Sequence, residues 1–169
     1  FSSRRRHTRY ISVTGVQTCA LPICDILVAS LEQVLPRADV IKVSGDDLDY
    51  LFPGQSNLTA AQNLAADRDA VVLFTDGANA VHVLTSGHRQ PAVDVVLEVP
   101  RVPVVDTVGA GDSFSGGFLA HWIGSGRGRD DLDDVDALVE AARYGIRVAG
   151  ITCQRAGANP PFAKEVPTA

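Results

Sequence analysis

Val104-Val105-Asp106-Thr107-Val108-Gly109-Ala110-Gly111-Asp112-Ser113-Phe114, running on through Ser115-Gly116-Gly117-Phe118-Leu119-Ala120-His121-Trp122, is the stretch that organises this chain. A short β-branched run ends at Asp106-Thr107, two glycines and an alanine follow, and Asp112 opens a segment rich in helix-compatible apolar residues. The order predicts a strand, a tight Gly-rich turn and a helix start. Gly109 and Gly111 permit backbone angles and close approaches that a side chain would block. The amides of residues 109–112 then point free at a helix N-terminus, where they can hold a phosphate or a developing negative charge. An acid at that place can contact the attacking hydroxyl of a phosphoryl acceptor. A plain capped turn, with Asp112 as N-cap, fits the bare pattern too.

Two better-known phosphate loops are excluded. The third fixed position of G-x-G-x-x-G is Phe114 here, and no Gly-Lys-Ser/Thr follows as in a Walker loop. Asp106-Thr107-Val108-Gly109-Ala110-Gly111-Asp112-Ser113-Phe114 instead resembles, at every fixed position, the second signature D-T-x-G-A-G-D-x-F of the ribokinase-like (PfkB) sugar kinases. The resemblance implies a kinase ancestry in which the Asp of G-A-G-D, Asp112 here, is the base for the sugar hydroxyl. Gly109, Ala110 and Gly111 would supply the anion hole.

The 169 residues are 46% hydrophobic and 21% charged, which suits one globular domain with a real core. No run approaches 18 apolar residues, so no membrane span or membrane partner is expected. Few aromatics and a net charge of −5 argue against a nucleic-acid partner. Cys19, Cys24 and Cys153 fit no disulfide framework or zinc spacing, which points to a reducing, cytoplasmic setting. A protein-ligated metal centre is not expected, whereas a nucleotide-bound magnesium needs only a carboxylate or two.

Residues 1–23 differ in character from the rest. Arg4, Arg5, Arg6 and Arg9 form a basic cluster, and no acid occurs before Asp25. A targeting segment and a nucleic-acid arm both fit this composition. The preferred reading is a third: Val13-Thr14-Gly15-Val16-Gln17-Thr18-Cys19-Ala20-Leu21-Pro22-Ile23 resembles a translated sequencing adapter. The expected organisation is therefore a foreign segment over 1–23 and, over 24–169, the C-terminal nucleotide-binding half of a sugar kinase domain.

Periodicity places a helix over Asp25–Pro36, a buried strand over Asp39–Ser44 and an acidic helical start at 45–51. A helix follows over Asn57–Asp67 with Asn57 as cap. Strands are expected at Val71–Thr75 and Ala80–Thr85, with Pro91–Val99 extended. Helices are expected at Gly111–Ile123 and Leu132–Gly150, leaving 151–153 as a short strand or the end of that helix. Alternating strands and helices imply an α/β fold, a layered and mostly parallel sheet with helices on both faces. In such sheets ligands bind at the carboxyl ends of strands. Ser44, Thr75 and Asp106 all fall at predicted strand ends, so they are expected to converge.

Further assignments come from the resemblance. The family's K-x-N-x-x-E motif has an acid that organises magnesium and phosphates, usually through water. Lys42-Val43-Ser44-Gly45-Asp46-Asp47 is similar, with Ser44 for Asn and Asp47 for Glu. An acidic helix start explains Asp46 and Asp47 equally simply. Thr75-Asp76-Gly77 resembles the T-x-G segment that lines nucleotide phosphates and ribose, with Ala80 where a Gly is frequent. Arg155-Ala156-Gly157-Ala158-Asn159 resembles a segment bordering the adenine pocket and a monovalent-cation loop, from which Gly157 and Asn159 are carried over. Carbonyls around Asp106, Val108 and Gly157 could help form a potassium site.

The implied cofactors are thus ATP and Mg2+, with K+ left open. The implied partners are a nucleotide and a small sugar, and the implied parent is a homodimer. Lys42 and Asp46 read as solvated-face residues, Phe118 and Trp122 as core, and His121 as a helix-surface or packing residue.

Only the C-terminal half of the family pattern is matched. The reading is therefore ATP-dependent phosphorylation of a sugar hydroxyl in an intact parent, fructose first among candidates, with an inactive fragment. A non-catalytic nucleotide-binding module of the same fold is the rival, and an unstable fragment is a third reading.

Overall fold

A computed structural model describes residues 10–12, 29–87 and 91–167. In chain order these form strand β1 (Tyr10–Ser12), helix α1 (29–34, ending in a 3-10 turn at Leu35–Arg37), β2 (Val40–Ser44) and α2 (Gly45–Leu51). Then come α3 (Asn57–Arg68), β3 (Val71–Asp76), β4 (Ala80–Leu84) and β5 (Asp94–Glu98). The long helices α4 (Ala110–Gly124) and α5 (Val135–Cys153) complete the fold. The basic cluster, the adapter-like stretch, Cys19 and Cys24 lie outside the described residues. From the segment expected to be foreign, only β1 is described.

The sheet order is β1-β2-β3-β4-β5. β1, β2 and β3 run parallel, and β3, β4 and β5 antiparallel, so the sheet is mixed rather than mostly parallel. Connection length explains the change. β2 reaches β3 through two helices, long enough for a parallel crossover, whereas β3 turns into β4 through residues 77–79 alone. Gly77 makes that turn with φ +53°.

Side chains alternate across the sheet. Ile41, Val43, Val72, Phe74 and Leu84 meet Leu48 of α2 and Ala60, Ala61 and Leu64 of α3. Val40, Val71, Leu73, Val83 and Leu97 face the other way, onto Phe114, Phe118 and Trp122 of α4 and Leu138 and Ile146 of α5. Helices therefore cover both faces, as expected, and Phe118 and Trp122 are core, their rings stacked at 6.1 Å.

α4 and α5 pack closely because glycines face each other's helix. A Cβ on Gly117 would lie 2.9 Å from Val148 Cγ2, and one on Gly145 2.7 Å from the Phe114 carbonyl oxygen. The buried Thr152 hydroxyl lies 2.9 Å from Ser113 Oγ, tying the C-terminal turn of α5 to the N-terminal turn of α4.

Local boundaries differ from expectation in three places. Ser56, not Asn57, caps α3, its Oγ accepting from the Thr59 amide at 3.2 Å. α5 starts later than expected, capped by Asp134, and takes in residues 151–153. The β-branched run before the Gly-rich turn forms no strand. Pro100 and Pro103 have no N–H to give a ladder. Instead the Val105 and Asp106 amides donate to the Cys153 carbonyl, at 2.8 and 3.2 Å.

Candidate active site

The Gly-rich turn is built on the end of α5. Asp106 holds it: Oδ1 accepts from the Val108 amide at 3.0 Å and Oδ2 from the Gly157 amide at 2.9 Å. These backbone donors lower its carboxyl pKa. Asp106 is thus a loop clamp rather than a strand-end residue, tied to Val108 and Gly157 through their amides. Gly109 takes φ +76°, and a Cβ there would fall 2.6 Å from the Ala158 Cβ. Only glycine combines that backbone angle with that approach. Cys153 is a free thiol in the same corner, and its pKa is raised by burial and by the Asp106 charge.

Gly109 is the N-cap of α4. Helix geometry leaves the amides of residues 109–112 without intrahelical acceptors. The Ala110 amide is taken up by the Thr107 carbonyl at 3.2 Å, and Ser113 makes the first helical bond, to Gly109 O at 2.8 Å. The amides of Gly109, Gly111 and Asp112 remain for an anion, and Ala110 acts as part of the turn. Asp112 is the third helical residue, not the cap, and its side chain is exposed. The plain capped-turn reading of Asp112 is therefore corrected: the N-cap is Gly109, and Asp112 lies three residues further on, within the first turn.

The β2–α2 corner is built from side chains. Asp47 closes a capping box on Ser44: its Oδ2 accepts from the Ser44 amide at 2.9 Å and from Ser44 Oγ at 2.6 Å. In return the Asp47 amide donates to Ser44 Oγ at 3.2 Å. Asp47 is only 4% exposed. The acidic helix start is thus a structural fact, and Oδ1 is the carboxylate atom left for a hydrated ion. Asp46 is exposed. Lys42, expected on a solvated face, is instead buried within the sheet. Burial lowers its pKa, while the charges of Asp47 and Asp112 act to raise it.

Thr75 pairs with Ser44 in register, and its hydroxyl donates to the Val43 carbonyl at 3.3 Å. Gly77 is an exposed hairpin residue and Asn159 is exposed. No hydrogen bond among the described residues joins Thr75 or Gly77 to the Gly-rich turn. A small cavity lined by Asp39, Asp69, Thr85 and Ser86 lies at the opposite end of β2 and β3, away from this chemistry. Among the described residues no cluster of His, Cys, Asp and Glu could hold a metal by itself, so a divalent ion would need ligands from the nucleotide. None of the described helices is long and apolar enough to cross a membrane. What sequence reasoning missed is the burial of Lys42. Its signal was a lysine breaking the apolar run of a buried strand.

Sheet order, helices on both faces and the turn at the start of α4 define the class: a ribokinase-like α/β domain. A double mutant of fructokinase from Vibrio cholerae O395, solved with fructose, ADP and potassium ion bound, superposes with a TM-score of 0.68 at 24% identity. That match covers 79% of this chain and 40% of that one. Residues 11–165 match the pfkB family carbohydrate kinase profile, and the chain belongs to that family.

A probable fructokinase-5 from Arabidopsis thaliana is 29% identical over 82% of this chain and 41% of its own length. An adenosine kinase from Schizophyllum commune is 31% identical over 72% of this chain and 38% of its own. The chain thus spans well under half the length of these curated relatives.

Proposed function

We propose that residues 24–169 are the nucleotide-holding half of a kinase that moves the γ-phosphate of MgATP to a sugar hydroxyl, fructose first. One observation carries this reading: an exposed carboxylate, Asp112, in the first turn of a helix whose leading amides are open. Asp112 takes the proton of the sugar hydroxyl as its oxygen bonds to the γ-phosphorus and the bond to the β-phosphate oxygen breaks, releasing ADP.

The Gly109, Gly111 and Asp112 amides are ordered in advance and offset the charge that grows on the transferring group. A bound magnesium ion would neutralise the phosphate oxygens, with Asp47 Oδ1 holding its water shell. Thr75, Gly77, Gly157 and Asn159 line the nucleotide, and the Asp106–Gly157 corner is the place for K+.

Calorimetric titration with MgATP, paired with a sugar-phosphorylation assay, tests this. The 169-residue chain is expected to bind MgATP with little or no turnover. Absence of MgATP binding overturns the nucleotide assignment, and robust sugar-dependent turnover overturns the claim of an inactive half. In a full-length relative of the same signature, replacing the residue equivalent to Asp112 by Asn should cut turnover by about 10²- to 10⁴-fold. The rival reading, a nucleotide-binding module without chemistry, has no use for a base at Asp112 and predicts no such loss.

A further inference from the structure

The stretch that carries the open amides is held at both ends by neighbouring residues of α5. At its entry the Val105 and Asp106 amides donate to the Cys153 carbonyl, at 2.8 and 3.2 Å. At its exit Ser113, one residue past Asp112, meets Thr152, their hydroxyl oxygens 2.9 Å apart. Thr152 is fully buried and Ser113 almost so. The Thr152 hydroxyl also lies 3.0 Å from the Val148 carbonyl of its own helix. A carbonyl only accepts, so the arrangement that satisfies all three groups has Thr152 donating to Val148 and Ser113 donating to Thr152.

Packing does not ask for hydroxyls here. α4 and α5 already meet closely at Gly117, Gly145 and Val148. A pair of buried hydroxyls that satisfy each other is nearly neutral for stability against an apolar pair of the same shape. What the bond adds is direction. A contact over glycines resists rotation and sliding only weakly, whereas a hydrogen bond weakens steeply once its angle is lost.

We infer that Ser113 and Thr152 are positioning residues of the site. Their bond sets the rotation of the first turn of α4 and, through it, the aim of the Gly111 and Asp112 amides and of the Asp112 carboxylate. Neither side chain touches a ligand. This rests on the nucleotide reading above and names what aligns that site. With entry and exit fixed on consecutive residues of α5, the turn has a rigid base although residues 107–112 are themselves exposed or half-buried.

The test titrates MgATP and adenosine into the unmodified chain, Thr152→Val, Thr152→Ser, Ser113→Ala and the variant carrying both Ser113→Ala and Thr152→Val. Each is measured well below its melting temperature. Leu138→Val, a core change at the other end of α5, controls for lost stability alone. Thr152→Val and Ser113→Ala are each expected to weaken MgATP about 3- to 10-fold, the span of one hydrogen bond. Adenosine binding should not change, because only the phosphates use the α4 amides. The double variant should lose no more than either single one, since both remove the same bond. Thr152→Ser keeps the hydroxyl and should bind MgATP like the unmodified chain. Leu138→Val should melt lower and still bind MgATP like the unmodified chain.

Unchanged MgATP affinity in Thr152→Val and Ser113→Ala overturns the inference and leaves the nucleotide reading standing. Equal losses for adenosine and MgATP, or the same loss in Leu138→Val, make the pair a feature of stability and overturn it as well. If one of the two single variants does not fold, the other decides. If neither folds, the bond holds the helices together rather than aiming the site, and the inference falls. No MgATP binding by the unmodified chain overturns both readings.

Discussion

The Gly-rich turn and the β2–α2 corner are made in opposite ways. The turn presents backbone: positive-φ Gly109, open amides, and Val104, Val105 and Val108 all more than half exposed around it. The corner presents side chains, Lys42 and Asp47, both almost wholly buried. A backbone site tolerates exposure because its donors are fixed by helix geometry. A side-chain site must be buried to be fixed, and a buried charge persists only with partners.

The largest effect is expected where the backbone site has no slack. Gly109→Ala places a Cβ on a left-handed residue, costing about 1–3 kcal/mol. It also drives that Cβ to 2.6 Å from the Ala158 Cβ. MgATP affinity should fall at least tenfold, while the corner, with its capping box, stays intact by amide exchange at Asp47. Equal loss of protection at both places would show that turn and corner form one cooperative unit, and the contrast drawn above would be wrong.

Gly145→Ala comes next. The new methyl would press on the Phe114 carbonyl at 2.7 Å and its ring at 3.0 Å, forcing α5 away from α4. Overpacking of this kind costs about 1–3 kcal/mol, and the better helix propensity of Ala returns about 1. A melting-temperature drop of a few degrees is expected, with weakened MgATP binding because the turn rides on the start of α4. A rise in melting temperature would mean the helices have room to spare.

Asp106→Asn probes how the turn is tied down. The native carboxylate has a lowered pKa because Val108, first, and Gly157 donate to it. A depressed acid contributes stability above its ordinary value of 3.8 and loses it as pH falls through the folded pKa. The variant should therefore melt lower than the parent at neutral pH, and the gap should close below about pH 4. A gap independent of pH would mean that the hydrogen bonds do not depend on the charge.

These contrasts explain what could be read from the chain beforehand. Gly109, Gly111 and Asp112 were legible because a turn into a helix that bares its amides has few residue solutions. Both helical layers were legible from alternation in β2 and β3. The missing strand at Val104–Thr107 was not, because propensity counted the valines and ignored that Pro100 and Pro103 cannot donate to a ladder. The antiparallel half of the sheet hid in the length of one loop, residues 77–79. Lys42 was misjudged because a lysine is solvated on base rates, and only the sheet and helices packed around it reveal the cost of its position. Asp47 carries two roles that sequence cannot separate, since a capping acid and a metal-organising acid occupy the same place at a helix start.

The smallest effect is expected at the outer margin of the corner. Thr75→Val removes one hydroxyl whose bond to the Val43 carbonyl is long, 3.3 Å, and leaves a methyl of similar size in its place. A neutral hydrogen bond is worth about 0.5–1.5 kcal/mol net, and one this long lies at the low end. Val also suits a strand better than most residues, so the melting temperature should move by no more than a degree or two. Nucleotide affinity is the sharper readout. If the hydroxyl serves only the Val43 carbonyl, MgATP binds Thr75→Val as it binds the parent. If the hydroxyl turns to a phosphate oxygen, affinity falls several-fold with the fold unchanged. That outcome would extend the ligand surface from the Gly-rich turn across β2 to the end of β3, and it would make Ser44, in register beside Thr75, the next residue to replace.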